Sequence, residues 1–169
     1  MNPIQDQSPD NTARSAEVLK FTASELFQRL FREGIELVEE TASYLDGDGR
    51  TESRLLTRSA ALSYASESMK LTTRLMQVSS WLLVQRAVNE GTITAEVASN
   101  DRYRLAPRPQ QAEPLPGDLP IALVEYILRA ERIYDRAYYL DQKMYVQVAE
   151  EPSANSVLSQ MERLRAAFG

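Results

Sequence analysis

Residues 63–81, SYASESMKLTTRLMQVSSW, place many serine and threonine side chains inside a segment with helical periodicity. Large apolar residues recur every seven positions through and beyond this segment: Leu55, Leu62, Met69, Met76 and Leu83. A small residue follows four positions after each: Ser59, Ser66, Thr73, Ser80 and Ala87. Because small side chains let two helix backbones approach closely, the pattern predicts a packing seam rather than a chemical site. The candidate seam residues are Leu62, Ser66, Met69, Thr73, Met76, Ser80 and Leu83.

The breakers around this segment predict an all-α fold with a long second helix. No Gly or Pro occurs from Ser53 to Asn89, which gives a helix of about 55 Å. A first helix is predicted from the capping box Thr22-x-x-Glu25 to the DGDGR turn at 46–50. A third follows from Ile121 to about Val148. We expect a three-helix antiparallel bundle, in which the shorter first helix leaves part of helix two uncovered.

The rest of the chain predicts one domain with flexible ends. Residues 1–16 are polar and read as a flexible N-terminal tail, residues 17–150 as the bundle domain, and residues 151–169 as a C-terminal tail. Within the domain, residues 106–120 contain five prolines and predict a flexible Pro-rich loop. The C-terminal tail carries a short amphipathic segment, in which Met161, Leu164 and Phe168 are the candidate partner-binding residues.

Composition excludes most common catalytic designs. The chain has 169 residues with no Cys and no His, so it has no thiolate nucleophile, no His general base and no His- or Cys-ligated metal site. No signal peptide or membrane-spanning run is present, which predicts a cytoplasmic protein with no membrane partner. A net charge of −5 argues against a broad nucleic-acid surface. We expect no catalytic residues, no cofactor and no metal.

Three local patterns have chemical readings that are weaker than their structural ones. The DGDGR turn resembles the start of a calcium loop, but Arg50 and Thr57 stand where ligands are needed. Ser66 and Lys70 lie one helical turn apart, but no oxyanion-hole turn accompanies them. Arg102, Arg104 and Arg108 form a small basic patch that keeps a nucleic-acid-associated regulator open as an alternative.

Acidic residues of the first helix have a structural reading as well. Glu39 and Glu40 are expected to pair with Arg54 and Arg58 across the turn between the first two helices. Such pairing accounts for the acidic run without a metal site, because a di-iron bundle would also require histidines.

Two long strings carry a family resemblance. FREGIELVEETASYLDGDGR at 31–50 and SYASESMKLTTRLMQVSSWLLVQRAVNEG at 63–91 resemble the RcdA family, regulators of CtrA degradation among small helical alphaproteobacterial proteins. The resemblance covers about half of the chain and implies a dimeric three-helix bundle without catalytic activity. It also implies an adaptor that helps the ClpXP protease to receive cell-cycle regulators, together with a CpdR-type response regulator and a cyclic-di-GMP effector.

The resulting expectation is a non-enzymatic adaptor that forms a homodimer. The alternatives are a structural dimerisation module without a proteolytic role and the nucleic-acid-associated regulator. From the sequence alone, the seam could lie between helices of one bundle or between two chains, because the pattern is the same in both cases.

Overall fold

The structure, a computed structural model, describes residues 9–110 and 113–147, and within these ranges all regular structure is helical. The α-helices are α1 (Pro9–Thr22), α2 (Glu25–Asp46), α3 (Asp48–Ser53), α4 (Arg58–Asn89), α5 (Ala95–Ala98) and α6 (Ile121–Gln142). A 3-10 turn covers Asp101–Tyr103, and a π-helical turn, Lys143–Gln147, continues α6. The all-α expectation is confirmed, and α4 is the long second helix of the sequence analysis.

Side-chain caps define where the long helices begin. Ser24 caps α2, and its hydroxyl accepts a hydrogen bond from the Phe27 amide at 3.3 Å. Thr57 caps α4 in the same way, accepting from Ala60 at 3.3 Å. Hydroxyl caps of this kind satisfy amides that have no partner within the helix. The long helix therefore begins at Arg58 rather than at Ser53, because Ser53 is the last residue of α3 and residues 54–57 form the turn that joins the two helices.

The direction of α6 differs from the up-down-up order of the expected antiparallel three-helix bundle, in which the third helix would run parallel to the first and antiparallel to the second. On α2, Glu33 pairs with Arg136, and Glu40, seven residues later, pairs with Arg129, seven residues earlier, so α2 and α6 are antiparallel. Arg74 lies over the Tyr134 ring and Trp81 donates to Asp141, so numbers on α4 and α6 rise together. These two helices are therefore parallel. Chain connectivity explains the difference, because residues 90–120 are long enough to carry the chain back along the bundle.

The helix pair α2 and α4 is antiparallel, as expected, and packs closely. The Arg86 guanidinium lies over the Phe31 ring at 5.2 Å. A Cβ added at Gly34 would lie 2.6 Å from Leu82 Cδ1, so the glycine allows the two helices to meet. The predicted charge pairing across this hairpin is not observed. Among the described residues Glu40 pairs with Arg129 of α6, and no ion pair joins Arg54 or Arg58 to α2.

The Pro-rich part of the connection packs against the bundle. We call residues 101–110 the strap. Leu105 in the strap is buried, as is Leu119 just before α6. The Tyr134 hydroxyl donates to the Ala106 carbonyl at 2.5 Å, and Arg108 forms a two-point ion pair with Asp135. The expected free tether is therefore an attached segment, because its apolar and cationic side chains find partners on α6.

Residues 9–16 also differ from the expected tail. They form the first half of α1, a helix that packs against α2, α4 and α5. Val18 is completely buried and anchors this helix to the core. Pro9 stands at the first helical position, where its missing amide costs nothing, so this proline begins a helix instead of marking a loop.

The core lies between α2, α4 and α6. Its largest fully buried apolar side chains are Phe27, Leu30, Leu37, Trp81, Leu82, Leu123 and Tyr134. In the described part of the chain no helix combines the length and the apolar character that crossing a bilayer would demand. Residues 1–8 and 148–169 lie outside the described residues, so the expected terminal mobility and the tail residues Met161, Leu164 and Phe168 stay predictions.

Candidate interaction surface

The predicted seam lies on the outside of the bundle. We call Leu62, Ser66, Met69, Thr73, Met76, Ser80 and Leu83 the α4 stripe; all seven are exposed. Relative exposure is 67% for Leu62, 72% for Met69, 66% for Met76 and 53% for Leu83. A single exposed apolar side chain is ordinary on a protein surface, but a contiguous apolar patch marks an interface. These four exposed side chains lie in one row, so they form such a patch.

A different face of α4 packs inside the bundle. Its buried residues include Tyr64, Leu71, Leu75, Val78 and Leu82. These positions also follow helical spacing but are offset from the α4 stripe, so α4 is apolar on two faces. Within residues 9–110 and 113–147 the α4 stripe therefore does not mediate packing between helices, so the described part of the chain does not use it as a seam inside the bundle.

The exposed face of α4 is nearly free of charge. From Ser59 to Leu83, a segment that is described throughout, Lys70 is the one exposed residue with a charged side chain. Its ammonium donates to the Glu67 carboxylate at 2.9 Å, and this hydrogen bond raises the pKa of Lys70. Charged residues are normally frequent on solvent-facing helices and depleted at interface cores. The composition of this face is therefore that of an interface.

Two hydroxyl groups on this helix donate to its own backbone carbonyls. Thr72 donates to the Ser68 carbonyl at 2.9 Å, and Ser79 donates to the Leu75 carbonyl at 2.6 Å. Such back-bonding lets a small polar side chain be covered without leaving an unpaired donor. The Ser66–Lys70 nucleophile pair, the weaker of the two interpretations of these residues, is not assembled, because Lys70 donates to Glu67.

A groove runs beside the α4 stripe. Its volume is about 460 Å³, and Met76 and Ser80 of the α4 stripe form one wall. The strap from Arg102 to Ala106 forms the other wall, and Trp81 and Tyr134 lie at its base. The groove thus extends the apolar surface from the α4 stripe towards the strap.

The basic patch is largely occupied by internal partners. Arg104 binds the completely buried carboxylate of Asp141, with 2.8 Å between Nη2 and Oδ2. Arg108 pairs with Asp135 at 2.6 Å and with Glu131 at 3.3 Å. Arg102 lies over the neighbouring Tyr103 ring. Two of the three arginines are therefore neutralised, which removes the basis for a nucleic-acid surface here.

Sequence reasoning missed the buried polar cluster around Asp141. Besides Arg104, the Asp141 carboxylate accepts from Trp81 Nε1 at 2.8 Å. One turn further along α4, the Gln85 side-chain oxygen accepts from the Tyr145 hydroxyl at 2.6 Å, and burial raises the pKa of Tyr145. Trp81 is separated from Asp141 by 60 residues, and so is Gln85 from Tyr145, so no local sequence pattern marks these pairs. They fix the end of α6 against α4 and the strap.

Comparisons with known proteins place these features in a family. A family described as "Protein of unknown function (DUF1465)" matches residues 18–168. The crystal structure of RcdA from Caulobacter crescentus is similar with 52% sequence identity and a TM-score of 0.64, covering 76% of this chain and 98% of that chain. Among curated proteins there is no match. The resemblance carried by residues 31–50 and 63–91 is thereby confirmed.

Proposed function

Since the chain belongs to the DUF1465 family, to which RcdA is also assigned, we propose that it is a non-enzymatic adaptor in regulated proteolysis. It acts in the cytoplasm and helps to deliver cell-cycle regulatory proteins to the ClpXP protease. The protein works with a CpdR-type response regulator and a cyclic-di-GMP effector, as the family resemblance implies, and needs no cofactor of its own.

The exposed α4 stripe is the observation that supports this proposal. An adaptor acts by contact, so it requires a stable scaffold with an apolar surface left open. Here the core is closed by α2, α4 and α6, while four large apolar residues of α4 stay outside. The similarity to RcdA covers 98% of that chain, so it is not limited to the two helices that carry the resemblance in sequence. This extent supports a role shared by the two whole proteins.

We further propose that the chain is a homodimer and that the α4 stripe is the subunit contact. The measurement is the solution mass of the wild type and of Met69→Glu/Met76→Glu, with far-UV circular dichroism on both. Because both methionines are exposed, the variant is expected to be a helical monomer. The control is Leu75→Glu, which buries a charge in the core and should unfold the chain. A dimeric, helical Met69→Glu/Met76→Glu protein would contradict the proposal.

The adaptor role is tested by protein half-lives in cells that encode the chain. Deletion of the gene is expected to lengthen the half-life of at least one cell-cycle regulator several-fold, and the wild-type gene should restore it. If all half-lives stay unchanged while the purified protein is a dimer, the chain is a structural dimerisation module instead. In the tail, Met161→Ala/Leu164→Ala/Phe168→Ala is expected to weaken partner capture without changing the solution mass.

A further inference from the structure

The distribution of large and small residues on the α4 stripe specifies how two copies meet. We infer that two α4 helices pack antiparallel across the α4 stripe, with large side chains of one copy over small side chains of the other. This inference rests on the proposed homodimer and adds to it the direction and the register of the contact.

A parallel arrangement would fit this stripe poorly. A two-fold axis along the helices places each residue opposite its own copy, so Met69 would face the partner's Met69 and Ser66 the partner's Ser66. Layers with two large residues would then alternate with layers with two small ones. Large layers push the helices apart, and the small layers between them would be left as cavities, which cost free energy.

An antiparallel arrangement makes every layer equivalent. A two-fold axis perpendicular to α4, passing between Arg74 and Leu75, brings a large residue of one chain opposite a small residue of the other. The facing pairs are Leu62 with the partner's Ala87, Ser66 with the partner's Leu83, Met69 with the partner's Ser80, and Thr73 with the partner's Met76. Helix axes can then approach to about 8 Å along the whole stripe.

Charge at the ends of the stripe selects this register. Arg58 is exposed at the start of α4 and lies beside the partner's Glu90, which is exposed at the other end and also pairs with Arg86 of its own chain at 2.8 Å. A shift by one heptad would also match large with small, but it would place Arg58 beside the partner's Leu83, which carries no charge.

The antiparallel contact has a consequence for partner binding. Tyr145 binds Gln85, so the described part of the chain ends beside the C-terminal half of α4. In the proposed register, Gln85 of one copy lies about 30 Å along the helix axis from the partner's Gln85. The two C-terminal segments therefore start at opposite ends of the dimer, which suits an adaptor that contacts two partners at once.

Engineered disulfides test the direction directly, because the chain contains no cysteine. Ser66→Cys and Leu83→Cys are prepared separately, unfolded, mixed, refolded and oxidised. The mixture is expected to give at least tenfold more cross-linked dimer than either variant alone. In the proposed register, Cys at position 66 lies opposite position 83 of the partner, but about 25 Å from its own copy. A disulfide requires Cα atoms within about 7 Å. Arg132→Cys is the control variant: Arg132 is exposed on α6, so its cross-linked fraction gives the background from random collisions.

Each result has a separate meaning. Efficient cross-linking of Ser66→Cys with itself would establish a parallel contact and overturn the inference, while the homodimer would stand. A dimeric mass without cross-linking in any sample would overturn the α4 stripe as the contact. A monomeric wild type would remove the proposed homodimer itself.

Discussion

At the scale of single residues, Gly49 shows how closely the helical hairpin is closed. It is buried in α3, between α2 and α4. A Cβ at this position would lie 2.8 Å from the Tyr44 carbonyl oxygen and 2.6 Å from the Tyr64 hydroxyl. Both contacts are shorter than van der Waals separation, and the Tyr44 backbone cannot move without disturbing the end of α2. The glycine therefore sets the geometry of the turn.

We predict that Gly49→Ala lowers the free energy of unfolding by roughly 1–3 kcal/mol, the range of overpacked sites. In a helix without a clash, alanine is more stable than glycine by about 1 kcal/mol. A measured loss of stability would therefore have to come from the steric clash. Urea unfolding followed by circular dichroism measures it. Gly117→Ala is the control for an added methyl group without a clash, because Gly117 lies in a turn and no atom lies within 4 Å of its added Cβ. Equal stability of the two variants would show that the turn adapts to the methyl group.

At the scale of elements, Asp141 joins α4, α6 and the strap. Its buried carboxylate accepts hydrogen bonds from Trp81 and Arg104, and Arg104 is itself only 14% exposed. A buried ion pair adds little over an apolar contact of the same shape, but removing one partner leaves the other charge uncompensated. The carboxylate therefore holds the three elements in one arrangement.

We predict that Asp141→Asn lowers the free energy of unfolding by about 3–5 kcal/mol, because the Arg104 guanidinium loses its counter-charge. Fluorescence of Trp81, the single tryptophan, and circular dichroism should report the same urea midpoint. Asp135→Asn provides the control: it breaks an ion pair between the same helix and the strap, but its carboxylate is half exposed, so we expect a loss below about 1 kcal/mol. Losses of similar size would contradict the role of burial.

Periodicity and breakers were sufficient to predict the three long helices, but not α1, α3 or the arrangement of the helices. The α2 and α4 helices and the turn near Asp46 follow from local patterns, and so does the α4 stripe. The direction of α6 does not, because it depends on contacts such as Arg74 with Tyr134, far apart in the chain. The exposure of the α4 stripe could also be determined only from the structure. The α4 helix carries two apolar faces, and the sequence does not show which of them the bundle covers.

At the scale of the whole molecule, buried tyrosines link stability to alkaline pH. Burial is the main cause that raises the pKa of Tyr44, Tyr64, Tyr134 and Tyr145 in the folded chain. Unfolded tyrosines ionise near pH 10, so above that pH the unfolded chain releases protons that the folded chain keeps. The stabilisation is fully present below about pH 10 and is lost as pH rises towards the folded pKa values.

We therefore predict that the free energy of unfolding changes little between about pH 8 and 9 and falls steeply above about pH 10. Urea unfolding at pH 8, 9, 10 and 11 measures this. Tyr145→Phe should reduce the slope, because it removes one of the groups with a raised pKa. Tyr139→Phe, which removes an exposed hydroxyl, is the control variant. Equal slopes in the two variants would contradict the contribution of Tyr145.

The parallel alignment of α4 and α6 also has a consequence for folding: we expect the α2–α4 hairpin to form before α6 docks. The α2–α4 hairpin closes across a short turn, so its loop-closure entropy is small. Docking α6 requires closure of a loop about 30 residues long, and contacts between residues distant in the chain form slowly. A nascent chain would thus first form the hairpin, with the apolar groove for α6 still open to solvent. We expect the helix that carries the buried carboxylate to dock after the hairpin has closed, and until then both the α4 stripe and the part of α4 that later faces α6 are open to other chains.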